Sequence, residues 1–191
     1  MSDKAEWRLW AQETRLTLDW PLLSTVLTER LKAVPEFQSA HHVLLYLAMA
    51  AEVSVEAVMQ QGLDKTWYVP RSGPNRCLAI HPYTPEETPL RAGPFGIREP
   101  DPTRVPEADP NLIDFVVVPA LLVSEQGERL GYGGGYYDRF LPRLRPDCLR
   151  VSVFPEALVV PTLPTDTWDI PLHRIITESR VLDIRSQRLG L

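Results

Sequence analysis

Residues 129–139 read Arg129-Leu130-Gly131-Tyr132-Gly133-Gly134-Gly135-Tyr136-Tyr137-Asp138-Arg139, with four glycines in the five positions from Gly131 to Gly135. Glycine lacks a Cβ and admits positive φ, so the backbone N–H groups of such a stretch can converge on an anion. A helix predicted over Tyr136 to Leu144 would add its own unpaired N–H groups and its positive dipole end. Tyr136, Phe140 and Leu144 fall four apart and would bury one face, with Arg139 and Arg143 on another. Between Gly127 and Arg150 five arginines face Glu128, Asp138 and Asp147, so this stretch is +2 in a chain of net charge −5. Phosphate binding is the chemistry these residues support, and a plain flexible turn is the alternative. No Lys-Ser/Thr follows the last glycine, so this is not a P-loop. Tyr136 stands where a dinucleotide fingerprint counted from Gly131 needs its last glycine. Asp138 could hold Mg2+ beside phosphates, since this hard cation takes carboxylate and phosphate oxygens. It could equally be a first-turn acid that favours the helix dipole.

Other candidates are weaker alone. Lys4 and Arg8, one helical turn apart, are either a solvated face or a phosphate clamp. Glu52, shortly after a predicted strand, is either a loop acid or a carboxylate that reads ligand N–H groups from a strand's C-terminal edge. Phe95, within Gly93-Pro94-Phe95-Gly96, is a core anchor or an aromatic wall for a flat ligand. His41, His42, His81 and His173 have no metal spacing, which argues against zinc. No Ser/His/Asp arrangement and no GxSxG elbow is present.

The elements that must position these residues follow from periodicity. Residues 4–18 read as a helix. Asp19 can cap a second, with Pro21 in its first turn and Leu22, Leu23, Val26, Leu27, Leu31 and Val34 in helical period. Val43 to Leu47 reads as a buried strand, Ser54 as the cap of a short helix ending near Gly62, and Trp67-Tyr68-Val69 as a strand stopped by Pro70. Cys77 to His81 is a further strand. Residues 82–110 are rich in proline and weak in periodicity, which predicts a long loop. Phe115 to Val118 is a continuous β-branched and aromatic run, hence a strand covered on both faces. Leu149 to Phe154 and Arg174 to Thr177 complete the set. Strands alternating with helices predict a single α/β domain over residues 1–191, a three-layer sandwich with a mainly parallel central sheet and helices on both faces.

Composition agrees. The chain has 191 residues, 44% apolar and 24% charged, ordinary for a globular domain. Its 19 prolines are about twice the usual ~5% and predict stiff connections rather than long helices. The net charge of −5 makes the whole molecule a poor nucleic-acid binder, so any phosphate site must be local. The apolar run Phe115 to Val123 is far short of the ~20 residues a membrane helix needs. Asp3, Lys4 and Glu6 precede any apolar run, unlike a signal peptide. Cys77 and Cys148 read as free thiols. A soluble cytoplasmic protein is the expectation, with a monomer favoured.

Together these residues resemble the 5-formyltetrahydrofolate cyclo-ligase family, also called 5,10-methenyltetrahydrofolate synthetases. Residues Arg129 to Asp138 are similar to the family's signature nearly position for position, with Val118-Pro119 some ten residues upstream. The resemblance extends to Lys4 and Arg8, Leu47 and Glu52, Val69-Pro70-Arg71, the Gly93 to Pro100 segment, and Trp168-Asp169-Ile170-Pro171.

The resemblance implies ATP- and Mg2+-dependent conversion of 5-formyltetrahydrofolate to 5,10-methenyltetrahydrofolate, with release of ADP and phosphate. It implies that Lys4, Arg8 and the run Arg129, Leu130, Gly131, Tyr132, Gly133, Gly134, Gly135, Tyr136, Tyr137 and Asp138 hold ATP. By the same likeness Arg129 and Asp138 serve catalysis, Asp138 holds Mg2+, and Leu47, Glu52, Phe95 and Tyr136 hold the folate. Family members often carry an Asp near the last strand where this chain has His173, so the second acid near the metal is either missing or supplied by Asp169. Two alternatives stay open: a sugar-phosphate isomerase or CoA-transferase relative with no need for ATP, and a nucleotide- or folate-binding module without turnover, favoured by His173 alone.

Overall fold

In this computed structural model the described residues are 3–60 and 64–185, and the Phe95 side chain also lies outside the description. Helix α1 (Lys4–Arg15) is started by Asp3, whose carboxylate accepts the N–H groups of Ala5 and Glu6 at 2.7 and 2.9 Å. It stops three residues short of the predicted end. The Trp20 indole takes the Arg15 carbonyl and the Thr17 hydroxyl takes that of Thr14, so the last turn is closed by side chains. Helix α2 (Trp20–Lys32) follows the Asp19 cap, which accepts the Leu22 N–H. Leu27 and Leu31 are fully buried, whereas Leu22 and Val26 face solvent, so the apolar stripe is narrower than the periodicity suggested. A short helix α3 (Pro35–Ser39), absent from the sequence reading, buries Phe37.

Seven strands form the central sheet, in the order β12-β11-β9-β6-β1-β2-β3. They are β1 (His42–Leu44), β2 (Thr66–Ser72), β3 (Leu78–Pro82), β6 (Phe115–Val117), β9 (Leu149–Val153), β11 (Arg174–Ile176) and β12 (Val181–Asp183). The five inner strands are parallel, in registers such as Val43↔Trp67, Val43↔Phe115 and Phe115↔Leu149. The edge strands β3 and β12 are antiparallel. Neighbouring residues split between two cores, as a two-residue period requires. Val43, Phe115, Val117 and Val151 pack with Leu27, Leu31 and Phe37 from α2 and α3. Leu44, Val116 and Ile175 pack on the other face with Ala11 of α1. The predicted three-layer sandwich is therefore present. The second outer layer is mixed, because beside α1 and α4 (Tyr136–Phe140) it contains a three-stranded sheet, β10-β7-β8, made of β7 (Leu122–Ser124), β8 (Arg129–Leu130) and β10 (Val159–Val160).

Three local predictions are corrected. Pro70 does not end β2. Tyr68 presents its carbonyl to Leu45 of the β1 side, and backbone groups alternate, so the nitrogen of Pro70 faces the same side beyond the last β1 pairing, where no ladder N–H is required. The proline-rich segment is not a bare loop. It carries the hairpin of β4 (Leu90–Ala92) and β5 (Arg98–Pro100), pinned to β2 where the Ser72 N–H donates to Glu99 at 2.9 Å. The helix predicted to reach Leu144 ends at Phe140 and passes into a 3-10 turn over Leu141–Arg143. Pro142 lacks an N–H and its ring would meet the carbonyl four residues back.

Candidate active site

A cleft of about 610 Å3 opens where β1, β2 and β6 end and the chain turns off the sheet. This is the C-terminal edge of the parallel strands, where open α/β sheets bind ligands. Leu47 and Glu52 reach it from the β1 end, Pro70 and Ser72 from β2, and Pro119 from β6. Lys4 and Arg8 of α1 and residues Arg129 to Asp138 form the facing wall. Every residue predicted for the site whose side chain is described lines this one cleft; the side chain of Phe95 is outside the description.

The glycine loop joins β8 to α4, so it hangs from the small sheet rather than from a central strand. Gly133 at φ 96° and Gly135 at φ 64° take left-handed conformations that a side chain would strain. A Cβ at Gly134 would come within 2.7 Å of the Tyr136 ring. Side chains hold the loop by its carbonyls: Arg8 Nε donates to Gly131 at 3.1 Å, and Arg139 donates to Gly135 at 2.9 Å. Among the described residues no protein acceptor is found for the N–H groups of Gly133, Gly134 and Gly135. Because α4 has only five residues, the anion-binding capacity lies in these loop amides and the arginines more than in a helix dipole.

The cations are not bare. Arg129, whose side chain is only 5% exposed, forms an ion pair with Asp138, and its guanidinium lies 5.9 Å from the Tyr137 ring centre. The two groups read separately from the sequence are thus one neutral pair. Lys4 Nζ lies 2.7 Å from Asp166 and 2.6 Å from Asp169. Burial alone would lower its pKa, but the hydrogen bonds it donates to both carboxylates outweigh that and raise it.

At the other end of the cleft Glu52 is 8% exposed, and both of its oxygens are engaged. Oε1 accepts the Tyr132 hydroxyl at 2.8 Å and Oε2 the Met49 N–H at 3.0 Å. Burial, then repulsion by Glu52, pushes the Tyr132 phenol well above its usual range, so it remains a donor. The turn itself is fixed from below. Buried Arg15 donates to the carbonyls of Ala51, Ala120 and Leu121, and the Tyr46 hydroxyl donates to Val53 at 2.7 Å.

His173 is not in the cleft. It precedes β11, at the N-terminal edge of the parallel strands, and its ring contacts Arg150. The expectation that it occupies a metal-side position is corrected: of His173 and Asp169, only Asp169 lines the cleft. Several cleft residues carried no role in the sequence reading, three polar or aromatic ones among them. Asp166 and Trp168 sit beside Asp169, and Glu99 is a second, 2% exposed carboxylate. Only the Gly93 to Pro100 and Trp168 to Pro171 segments flagged two of them.

The donor set bears on Mg2+. No three His, Cys, Asp or Glu side chains converge among the described residues, so no all-protein metal cage is seen. Asp138 and Asp169 nevertheless line the cleft that holds the glycine loop. Asp138, ion-paired with Arg129, could give Mg2+ one carboxylate oxygen, the remaining oxygens coming with a phosphate ligand.

A sequence profile of the 5-formyltetrahydrofolate cyclo-ligase family matches residues 4–178. The 5-formyltetrahydrofolate cyclo-ligase of Haemophilus influenzae is 29% identical over 153 residues, covering 74% of this chain and 78% of that protein. The protein of the same name from Escherichia coli K12 is 28% identical over 160 residues, covering 80% and 86%. The solved structure of Aquifex aeolicus 5,10-methenyltetrahydrofolate synthetase superposes with a TM-score of 0.83 at 32% identity, covering 95% of this chain and 93% of that one.

Proposed function

The chain belongs to the 5-formyltetrahydrofolate cyclo-ligase family, and from that premise we propose that it converts 5-formyltetrahydrofolate and ATP to 5,10-methenyltetrahydrofolate, ADP and phosphate, with Mg2+. The formyl oxygen attacks the γ-phosphorus, and the bond to the β-phosphate oxygen breaks to release ADP. N10 then attacks the activated carbon and loses its proton, and phosphate departs with the formyl oxygen. Phosphoryl transfer depends mainly on positioning and charge neutralisation. The amides of Gly133 to Gly135, Arg8 and Arg129 supply donors for the phosphates. When bound, Mg2+ would neutralise phosphate charge, with Asp138 as its protein oxygen. Leu47 gives the pterin an apolar wall, Glu52 accepts its N–H groups, and Tyr136 lines the same space.

The observation that carries this reading is the placing of unpaired loop amides and a buried, pre-oriented carboxylate in one cleft, joined by Tyr132. Incubation with ATP, Mg2+ and 5-formyltetrahydrofolate should produce the methenyl chromophore, and omission of ATP should abolish it. Chromophore formed without ATP would favour the isomerase or transferase alternative. Binding of both ligands without product would favour the non-catalytic module, although its one sequence argument, His173, lies away from the cleft. Free Cys77 and Cys148 support a cytoplasmic setting, and no described helix is long and apolar enough to cross a membrane.

A further inference from the structure

Trp168 is 66% exposed, yet it forms part of the cleft wall. Bonded contacts give the cleft an order from end to end. Asp166 and Asp169, which flank Trp168 in the sequence, hold Lys4. One turn further along α1, Arg8 holds the Gly131 carbonyl. Beyond the loop, Tyr132 reaches Glu52. We propose that Trp168 is the stacking platform for the purine base of ATP.

The inference rests on the ATP reading above and goes beyond it by placing the base. With the triphosphate on the glycine loop and the folate against Glu52, the nucleoside is left the opposite end, beside Lys4 and Trp168. Charge points the same way. Two carboxylates around one ammonium leave that end net −1. This disfavours phosphate and suits a neutral ring with N–H donors and a ribose with hydroxyl donors. The indole supplies a flat apolar face, and every purine has a complementary π-face.

The test compares wild type with Trp168→Ala and Trp168→Phe, using ATP, inorganic triphosphate and 5-formyltetrahydrofolate as separate calorimetric probes. Because Trp168 is exposed, both variants should melt like wild type. Trp168→Ala should weaken ATP at least about fivefold, the low end of base–aromatic stacking. It should leave triphosphate, which has no base, and the folate within about twofold. Trp168→Phe should restore most of the ATP affinity while removing the nucleotide-induced quench of indole fluorescence. A folded Trp168→Ala protein that binds ATP like wild type would overturn the inference and leave the ATP reading standing. Equal losses for ATP and triphosphate would also overturn it, since the residue would then act on phosphate. Wild type that binds neither ATP nor triphosphate would overturn the ATP reading and this inference with it.

Discussion

The Tyr132 hydroxyl donates to Glu52 across 2.8 Å, joining the glycine loop to the turn after β1 over 80 residues of sequence. Tyr132 therefore belongs to both halves of the cleft. Its backbone is part of the phosphate loop and its side chain orients the carboxylate assigned to the folate.

Tyr132→Phe should act on the folate more than on ATP. Glu52 would keep the Met49 N–H but lose a donor to a charged, buried acceptor, an interaction of about 1.5–3 kcal/mol. The expected result is a folate KM raised roughly tenfold or more, with ATP affinity nearly unchanged. Steady-state kinetics with each substrate varied in turn would show this, and the reverse pattern would detach Tyr132 from the folate side.

Gly134→Asp should abolish ATP binding without unfolding the protein. Its Cβ would meet the Tyr136 ring at 2.7 Å, and its carboxylate would enter the space assigned to phosphate. Calorimetry with ATP and a thermal melt separate the two effects. A folded variant with wild-type ATP affinity would remove the loop from the nucleotide site.

The Lys4 contacts predict a pH dependence with a defined sign. The folded-state pKa of Lys4 lies above the ordinary 10.5, because hydrogen bonds to Asp166 and Asp169 outweigh burial. Its contribution to stability is complete below about that ordinary value and is lost as pH rises through the higher folded value. The difference in melting temperature between wild type and Lys4→Met should hold steady from neutral pH to about 10 and shrink above it. A difference that grows with pH would contradict the assignment.

Asp138 and His173 should behave oppositely. Asp138→Asn leaves nearly buried Arg129 without its counter-charge, so stability should fall by up to about 3 kcal/mol. Turnover at saturating ATP should fall at least about tenfold, with more free Mg2+ required. The contacts of His173 lie with Arg150 at the other end of the strands, so His173→Asp should leave the Mg2+ dependence superimposable on wild type. A shifted Mg2+ curve for His173→Asp would return that position to the metal side.

What could be read from the sequence depended on near neighbours. The glycine loop, the Asp19 cap and the buried run at Phe115 are local patterns, and each formed where it was expected. Pro142 was a local signal too, and it cut α4 short as proline sterics require. The tertiary structure decided the rest. Sequence could nominate Lys4, Glu52 and Asp138, but not that each is already engaged, by Asp166 and Asp169, by Tyr132, and by Arg129. Nor could it place His173 at the wrong end of β11, or show that Pro70 lies past the last pairing of β1. Helix caps and turns depend on residues a few positions away. Ion pairs across 162 residues and strand edges depend on which elements the sheet order brings together, and that order is set by burying both faces of the sheet at once.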